Sequence, residues 1–124
     1  MVDRRLMARR VLIGSDHSWS ARFLCGPVGI ASLALVSIAL HALDLATGVR
    51  MMLLYGIAQE QNPIARSIFQ LTGPIGLGAV KFAVVFCGVS FMVGMARAGR
   101  PRLARNALLA VAILGLLGFS SNLI

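Results

Sequence analysis

Four side chains that carry charge or form strong hydrogen bonds lie inside apolar stretches of the sequence. His41, Asp44 and Thr47 recur every three residues in the first stretch, and Lys81 lies in the second. Side chains three residues apart lie along one side of a helix. Because an unpaired charge in a bilayer is costly, ionisable residues there normally face protein partners or water. The spacing therefore predicts that this side of the first helix faces protein.

The depths of Asp44 and Lys81 decide whether the two side chains can meet. If the first span ends near Arg50, Asp44 lies roughly 9 Å below that end, at about 1.5 Å of rise per residue. Lys81 lies roughly 10 Å below Pro74, where the second span opens. The two residues then lie at similar levels on neighbouring antiparallel helices, which predicts an ion pair between them.

A second arrangement depends on residues 51–58, which are apolar enough to prolong the first helix. If the helix runs to the end of this segment, Asp44 lies roughly 21 Å below that end and misses the level of Lys81. Glu60, folded inward with its loop, then becomes the partner of Lys81.

Each of these polar residues also has a purely structural interpretation. Asp44 can be a neutral carboxyl group bonded to Thr47 or His41, and Lys81 can extend its ammonium group toward the membrane interface. His41, one turn before Asp44, is placed to relay a proton. A hydrogen bond across helices is the commoner role for an intramembrane histidine and is favoured here.

The segment between the two spans contains a helix start and a helix stop. Asn62 supplies an N-cap side chain, and Pro63 occupies a first-turn position where its missing N–H is not needed. A short amphipathic helix is predicted from Pro63 to about Leu71. Gly73 then ends this helix, and Pro74 opens the second span. The loop thereby brings Glu60, Asn62 and Pro63 to the end of the first two spans.

The composition places the chain in a membrane. Of its 124 residues, 58% are hydrophobic and only 13% are charged, whereas soluble domains carry about a quarter charged residues. A soluble fold of this size has too little interior for so much apolar surface. The mean hydropathy of +0.85 leads to the same conclusion.

Three segments are long enough to cross a bilayer, which takes about 20 apolar residues. They cover about residues 28–49, 74–96 and 106–124, within a domain of residues 26–124 that follows a basic tail of residues 1–25. The predicted fold class is all-α: an integral membrane protein of three transmembrane helices, with the short amphipathic helix between the first and second.

The net charge of +8 is concentrated at one side of this arrangement. Basic residues cluster before the first span and between the second and third, which predicts that these parts are cytoplasmic and that the carboxyl end is outside. The same clustering argues for contacts with membrane lipid headgroups and against nucleic-acid binding. The predicted headgroup contacts are Arg4, Arg5, Arg9, Arg10, Arg97, Arg100, Arg102 and Arg105.

No motif of a known catalytic or metal-binding class is present in the sequence. It lacks a nucleophile elbow, a zinc-binding helix and a phosphate-binding glycine loop, so no catalytic residue, metal or other cofactor is predicted. Cys25 and Cys87 have no metal or redox spacing, and each is interpreted as a packing residue. The expectation is that the protein is not an enzyme.

The ordered pattern Asp44-x-x-Thr47, then Glu60-x-Asn62-Pro63, then Lys81, resembles a family of short prokaryotic membrane proteins known only as a domain of unknown function. The resemblance covers about residues 35–120. It implies the three-span fold and marks those six positions as site residues, but it implies no activity.

Together these features predict a polar cluster that opens toward the outer face of an inner (plasma) membrane. Its candidate members are Asp44, Thr47, Glu60, Asn62, Pro63, Lys81 and His41. The predicted function is a structural, interaction or assembly module, either a homo-oligomer or part of a larger membrane complex, because three short helices enclose little interior. The alternative is a small ion- or proton-conducting transporter subunit that uses the same residues.

Overall fold

Three long helices account for nearly all of the structure, a computed structural model that describes residues 24–60 and 62–123. They are α1 (Pro27–Tyr55), α2 (Pro63–Arg97) and α3 (Pro101–Ser121), with a short 3-10 turn at Ile57–Gln59. Each helix is long and apolar enough to cross a membrane. The all-α fold class is thereby confirmed. The predicted tail structure lies almost entirely outside the described residues.

Helix α1 is longer than the predicted first span. It continues past position 49 to Tyr55, where Gly56 adopts a φ of 92° and donates its N–H to the Met52 carbonyl at 3.1 Å. This left-handed conformation is accessible to glycine at little cost, and it stops the helix. The apolar segment after Arg50 therefore prolongs α1 by more than one turn.

Helix α2 consists of two segments separated at Gly73. The Oδ1 atom of Asn62 accepts hydrogen bonds from the N–H groups of Ile64 (3.0 Å) and Ala65 (3.4 Å), which caps the first segment. Gly73 has φ 68° and ψ −170°, so the helical path breaks there, and Pro74 opens the second segment. The predicted amphipathic helix and second span are thus one kinked element that begins at the cap.

Helix α3 begins earlier than predicted, at Pro101 instead of position 106. A proline in the first turn loses no hydrogen bond, because its missing N–H would have no partner within the helix. The predicted basic turn of residues 97–105 is therefore reduced to residues 98–100. Arg102 and Arg105 lie in the first turns of α3.

Helices α1 and α3 run parallel and pack closely through small residues. Ser37, which is fully buried, donates to the carbonyl of Leu108 on α3 at 3.1 Å. The core lies near the amino ends of both helices and consists of Ile30, Ala34, Val89, Ala104 and Leu108. Helix α2 contributes Val89 to it, and partly buried residues of the same helix pack against it. The opposite ends of α1 and α3 come together around polar side chains.

A series of small residues on α2 makes no close helix contact among the described residues. Ser90, Gly94 and Ala98 recur every four residues, but all three are exposed. A methyl group added at Gly94 would meet nothing within 4 Å. The close contact lies instead between α3 and α1, where Gly115 and Gly118 face α1. A regular spacing of small residues does not by itself indicate which helix they will contact.

Candidate functional site

An ion pair joins α1 to α2. Nζ of Lys81 lies 2.5 Å from Oδ2 of Asp44, and the two side chains are 29% and 14% exposed, respectively. The contact is short and charge-assisted, and it gives each of the two partly buried charges a partner of opposite sign. Because each residue belongs to a different helix, the pair fixes the position of α2 along α1.

The third helix completes the site through Asn122, directly after its last turn. The Nδ2 atom of Asn122 lies 3.0 Å from Oδ1 of Asp44, 3.1 Å from the Asp44 carbonyl and 3.3 Å from Oγ1 of Thr47. The Thr47 hydroxyl donates to the Leu43 carbonyl at 2.9 Å, so it is oriented to accept from the amide. Both carboxylate oxygens of Asp44 therefore have a partner, each from a different helix.

Two glycines let α3 approach the carboxylate. A methyl group built on Gly118 would lie 2.6 Å from Oδ2 of Asp44 and 2.7 Å from Oδ1. A methyl group on Gly48 of α1 would lie 3.2 Å from Nδ2 of Asn122. Gly118 therefore has space for a hydrogen atom only, whereas a methyl group at Gly48 would require the Asn122 amide to shift by a few tenths of an ångström. The backbone of α3 at Gly118 therefore lies directly against the Asp44 carboxylate of α1.

The ion pair forms even though α1 extends to Tyr55, an extension expected to separate the two levels. Asp44 lies roughly 16 Å below Tyr55, while Lys81 lies roughly 10 Å below Pro74. Pro74 must therefore lie several Å below the end of α1. The first segment of α2 makes this possible because Ile64 and Ile68 line the same cavity as Met52 of α1. The chain thus descends alongside α1 before the second segment of α2 begins.

Glu60 and Asn62 shape the loop and do not join the ion pair. Oε1 of Glu60 accepts from the backbone N–H of Asn62 at 2.8 Å. The guanidinium of Arg66 donates to the carbonyls of Glu60 and Ala58, the latter at 3.2 Å. Pro63 occupies the first turn of α2. The guanidinium of Arg66 thereby fastens the loop to α2.

His41 lies one turn before Asp44 and forms no hydrogen bond through Nδ1. That atom is buried and has no partner among the described residues. The ring packs against α3, since a methyl group on Gly115 would lie 3.3 Å from Cδ2 of His41. The favoured hydrogen bond across helices is therefore not made by Nδ1. The ring borders the cavity described next.

A cavity of about 490 Å³ adjoins the ion pair. This volume lies within the range of small-molecule sites. Most of its wall is apolar, and its polar lining residues are His41, Asp44, Glu60, Asn62, Lys81, Ser121 and Asn122. The predicted site residues Asp44, Glu60, Asn62 and Lys81 therefore share one cavity, but they form two separate pairs, Asp44 with Lys81 and Glu60 with Asn62.

The remaining predicted contacts lie away from this site. Arg97, Arg100 and Arg102 are exposed around the turn between α2 and α3, and Arg105 bonds the side chain of Asn106 at 2.9 Å. The first four arginines of the sequence lie outside the described residues. Among residues 24–60 and 62–123, no group of three or more His, Cys, Asp or Glu side chains is placed to hold a metal ion.

The three apolar helices and the ion pair between them define a small three-helix membrane protein. The chain belongs to the family described as Domain of unknown function (DUF5658), which matches residues 34–124. The match includes both residues of the ion pair, the loop, all of α3 and Asn122. No curated protein and no solved structure matches the chain.

Asn122 is the main member of the site that sequence reasoning missed. It follows the third apolar stretch and was not among the predicted site residues. The signal that points to it is its spacing from two glycines: Gly115, Gly118 and Asn122 lie three and four residues apart, along one face of a helix. That pattern marks the side of α3 that approaches another helix closely.

Replacing Asn122 with leucine is expected to lower the free energy of unfolding by about 2 kcal/mol. The change removes the amide donor of an ionised carboxylate, and hydrogen bonds to charged groups contribute more than neutral ones. Chemical denaturation in detergent micelles measures the effect. The matched control is Asn106→Leu, an exposed position at the other end of α3, for which we expect a change within about 0.5 kcal/mol. Equal effects at the two positions would contradict a special role for Asn122.

Proposed function

We propose that this protein is a structural and interaction module of the inner (plasma) membrane, without catalytic or transport activity of its own. The observation that carries the proposal is that each carboxylate oxygen of Asp44 has a protein partner: one accepts from Lys81 and the other from Asn122. A transported ion that bound this carboxylate would have to compete with both of these partners. Here the carboxylate instead joins three helices, which is what a rigid module requires.

The small core supports assembly with further chains. Only eight hydrophobic residues of the described part are buried, and most large apolar side chains are exposed. Either lipid or another helix can cover such a surface. Assembly with further chains would bury more of these side chains than three short helices can bury alone. The proposal therefore includes a homo-oligomer or a larger membrane complex.

The proposed topology has the amino terminus in the cytoplasm, three spans and the carboxyl terminus outside. Arg97, Arg100 and Arg102, exposed beside the turn between α2 and α3, support a cytoplasmic position for that turn and contacts with anionic headgroups. On this topology Asn122 and the loop at Glu60 lie toward the outer face.

The proposal is tested by reconstituting the purified chain in liposomes that contain a pH-sensitive dye. We expect proton flux at the rate of empty liposomes, and the same rate for Asp44→Asn. Flux above that background that disappears in Asp44→Asn would contradict the proposal and support a conducting subunit. The assembly part is tested by the particle mass in polymer-extracted nanodiscs. More than one 13.1 kDa chain, or a bound partner, is expected in each particle, and a single chain alone would contradict assembly.

A further inference from the structure

The cavity beside the ion pair has unused hydrogen-bonding capacity at two places. The Lys81 ammonium has three N–H donors, and among the described residues only Asp44 accepts one. Glu60 uses Oε1 to accept from the Asn62 N–H, and its second oxygen has no partner within the same residues. A ligand that offers both an acceptor and a donor can therefore bind without breaking any existing contact.

The charged residues that line the cavity favour a ligand with a positive group. They are Asp44, Glu60 and Lys81, two negative and one positive, which gives a sum of −1. The ion pair neutralises two of these charges and leaves the carboxylate of Glu60. The guanidinium of Arg66 does not line the cavity and binds the carbonyls of Glu60 and Ala58, not this carboxylate. An anionic ligand would gain from Lys81 but meet repulsion from Glu60. A zwitterion with a positive and a negative group satisfies both ends.

The groups that line the cavity follow a definite order from the loop along α2. Glu60 lies in the loop before α2, Lys81 lies about 10 Å beyond Pro74, and Val84 lies about 4.5 Å further from the loop. From the loop inward, the cavity thus offers an anion, then N–H donors, then apolar wall. A phospholipid with an amine head group presents ammonium, phosphate and acyl chains in the same order.

Three exposed apolar side chains border one side of the cavity, which we call its mouth. Ile64, Val80 and Val84 line it and are themselves exposed, at 69%, 45% and 68%. In a membrane-spanning helix, exposed apolar side chains contact acyl chains. A lipid therefore reaches Lys81 from the side, whereas a water-soluble ligand must enter from the loop. This favours a lipid as the occupant.

We propose that this cavity binds one zwitterionic phospholipid with a primary ammonium head group. The ammonium donates to Glu60, the phosphate oxygens accept from the two free N–H groups of Lys81, and the acyl chains leave over Val80 and Val84. The lipid adds a contact between the loop and α2 and leaves the Asp44 pair intact. The inference does not depend on the assembly or topology proposed above.

The test is native mass spectrometry of the purified chain with phosphatidylethanolamine, phosphatidylcholine or phosphatidylglycerol carrying identical acyl chains. We expect a single adduct that forms about fivefold more tightly with phosphatidylethanolamine than with either other lipid, which is the contribution of one partly exposed ion pair. Equal or tighter binding of phosphatidylglycerol would overturn the proposal, because the arginine clusters alone explain that result. Equal binding of phosphatidylcholine would exclude recognition of a primary ammonium.

Two substitutions locate the adduct. Glu60→Gln keeps an acceptor for the Asn62 N–H but removes the charge, so the preference for phosphatidylethanolamine should disappear while the fold persists. Val84→Trp should block the mouth and reduce the adduct severalfold. Its matched control is Val28→Trp, the same exchange at a similarly exposed position (65% against 68%) outside the cavity. A preference that survives Glu60→Gln, or equal adducts in the two tryptophan variants, would overturn the assignment.

Discussion

Replacing Lys81 with methionine is expected to lower the free energy of unfolding by about 3 kcal/mol. The substitution keeps the apolar stem but leaves the carboxylate of Asp44 without its cation, and an uncompensated charge in a largely buried position is strongly destabilising. Asp44 cannot escape to water, because its short side chain is held between Gly118 and Asn122. The measurement is denaturant unfolding of the purified variant in detergent micelles.

The control is Arg97→Met, which removes an exposed cation from the carboxyl end of the same helix. We expect a change within about 0.5 kcal/mol for this variant, as for most surface substitutions. If both variants lose the same stability, the loss reflects the net charge of the chain and not the pairing of Lys81 with Asp44.

Replacing Gly118 with alanine is expected to cost about 2 kcal/mol, within the range for overpacked positions. The new methyl group would lie 2.6 Å from Oδ2 of Asp44, so the carboxylate or α3 must shift. A shift of the carboxylate weakens its contacts with both Lys81 and Asn122. The effect is large for the addition of one carbon, because alanine otherwise favours a helix over glycine.

The matched control for this substitution is Gly94→Ala on α2, where the added methyl group meets nothing within 4 Å. There we expect no loss and a gain of up to about 1 kcal/mol from helix propensity. The mechanism is tested by combining Gly118→Ala with Asp44→Ala, which removes the carboxylate. The cost of the alanine should then largely disappear, and an additive result would show that the clash involves something other than Asp44.

The fold class followed from the sequence because spanning a bilayer requires long apolar segments, which are easily recognised. A stretch of about 20 apolar residues has few alternatives to a spanning helix, and the prolines at positions 27, 63, 74 and 101 mark helical segment starts directly. The ends were harder to predict. Helix α1 runs to Tyr55 because its apolar residues continue beyond Arg50, and its end is set by the backbone conformation of Gly56.

The neighbourhood of Asp44 and Lys81 was predictable only in part. The rise per residue predicts the depth of each residue along its own helix. The comparison of the two depths assumed that the second span starts level with the end of the first. The kink at Gly73 changes that relation, and the structure has both a long α1 and the Asp44 pair, a combination that the depth estimate excluded. Glu60 was placed near Lys81 by the same estimate, whereas its observed hydrogen bond is local, to Asn62.

The contribution of α3 to the site could not be predicted from residue depths. Levels on α1 and α2 are related through the short loop between them, while the position of α3 depends on how closely its glycines approach α1. That distance is a property of packing and not of sequence spacing. The glycine spacing marks the face of α3 that approaches another helix, but the packing of Gly118 against Asp44 is what brings Asn122 into the site.

The central claim is that Asp44 and Lys81 stabilise the bundle as a pair, and a double-mutant cycle tests it most directly. The variants are Asp44→Asn, Lys81→Met and the two together, each unfolded by denaturant in the same micelles. Direct pairing predicts that the double variant is more stable than Lys81→Met alone, with a coupling energy of about 2 kcal/mol, because the second change removes the charge that the first leaves unpaired. A double variant whose loss equals the sum of the two single losses would contradict the claim.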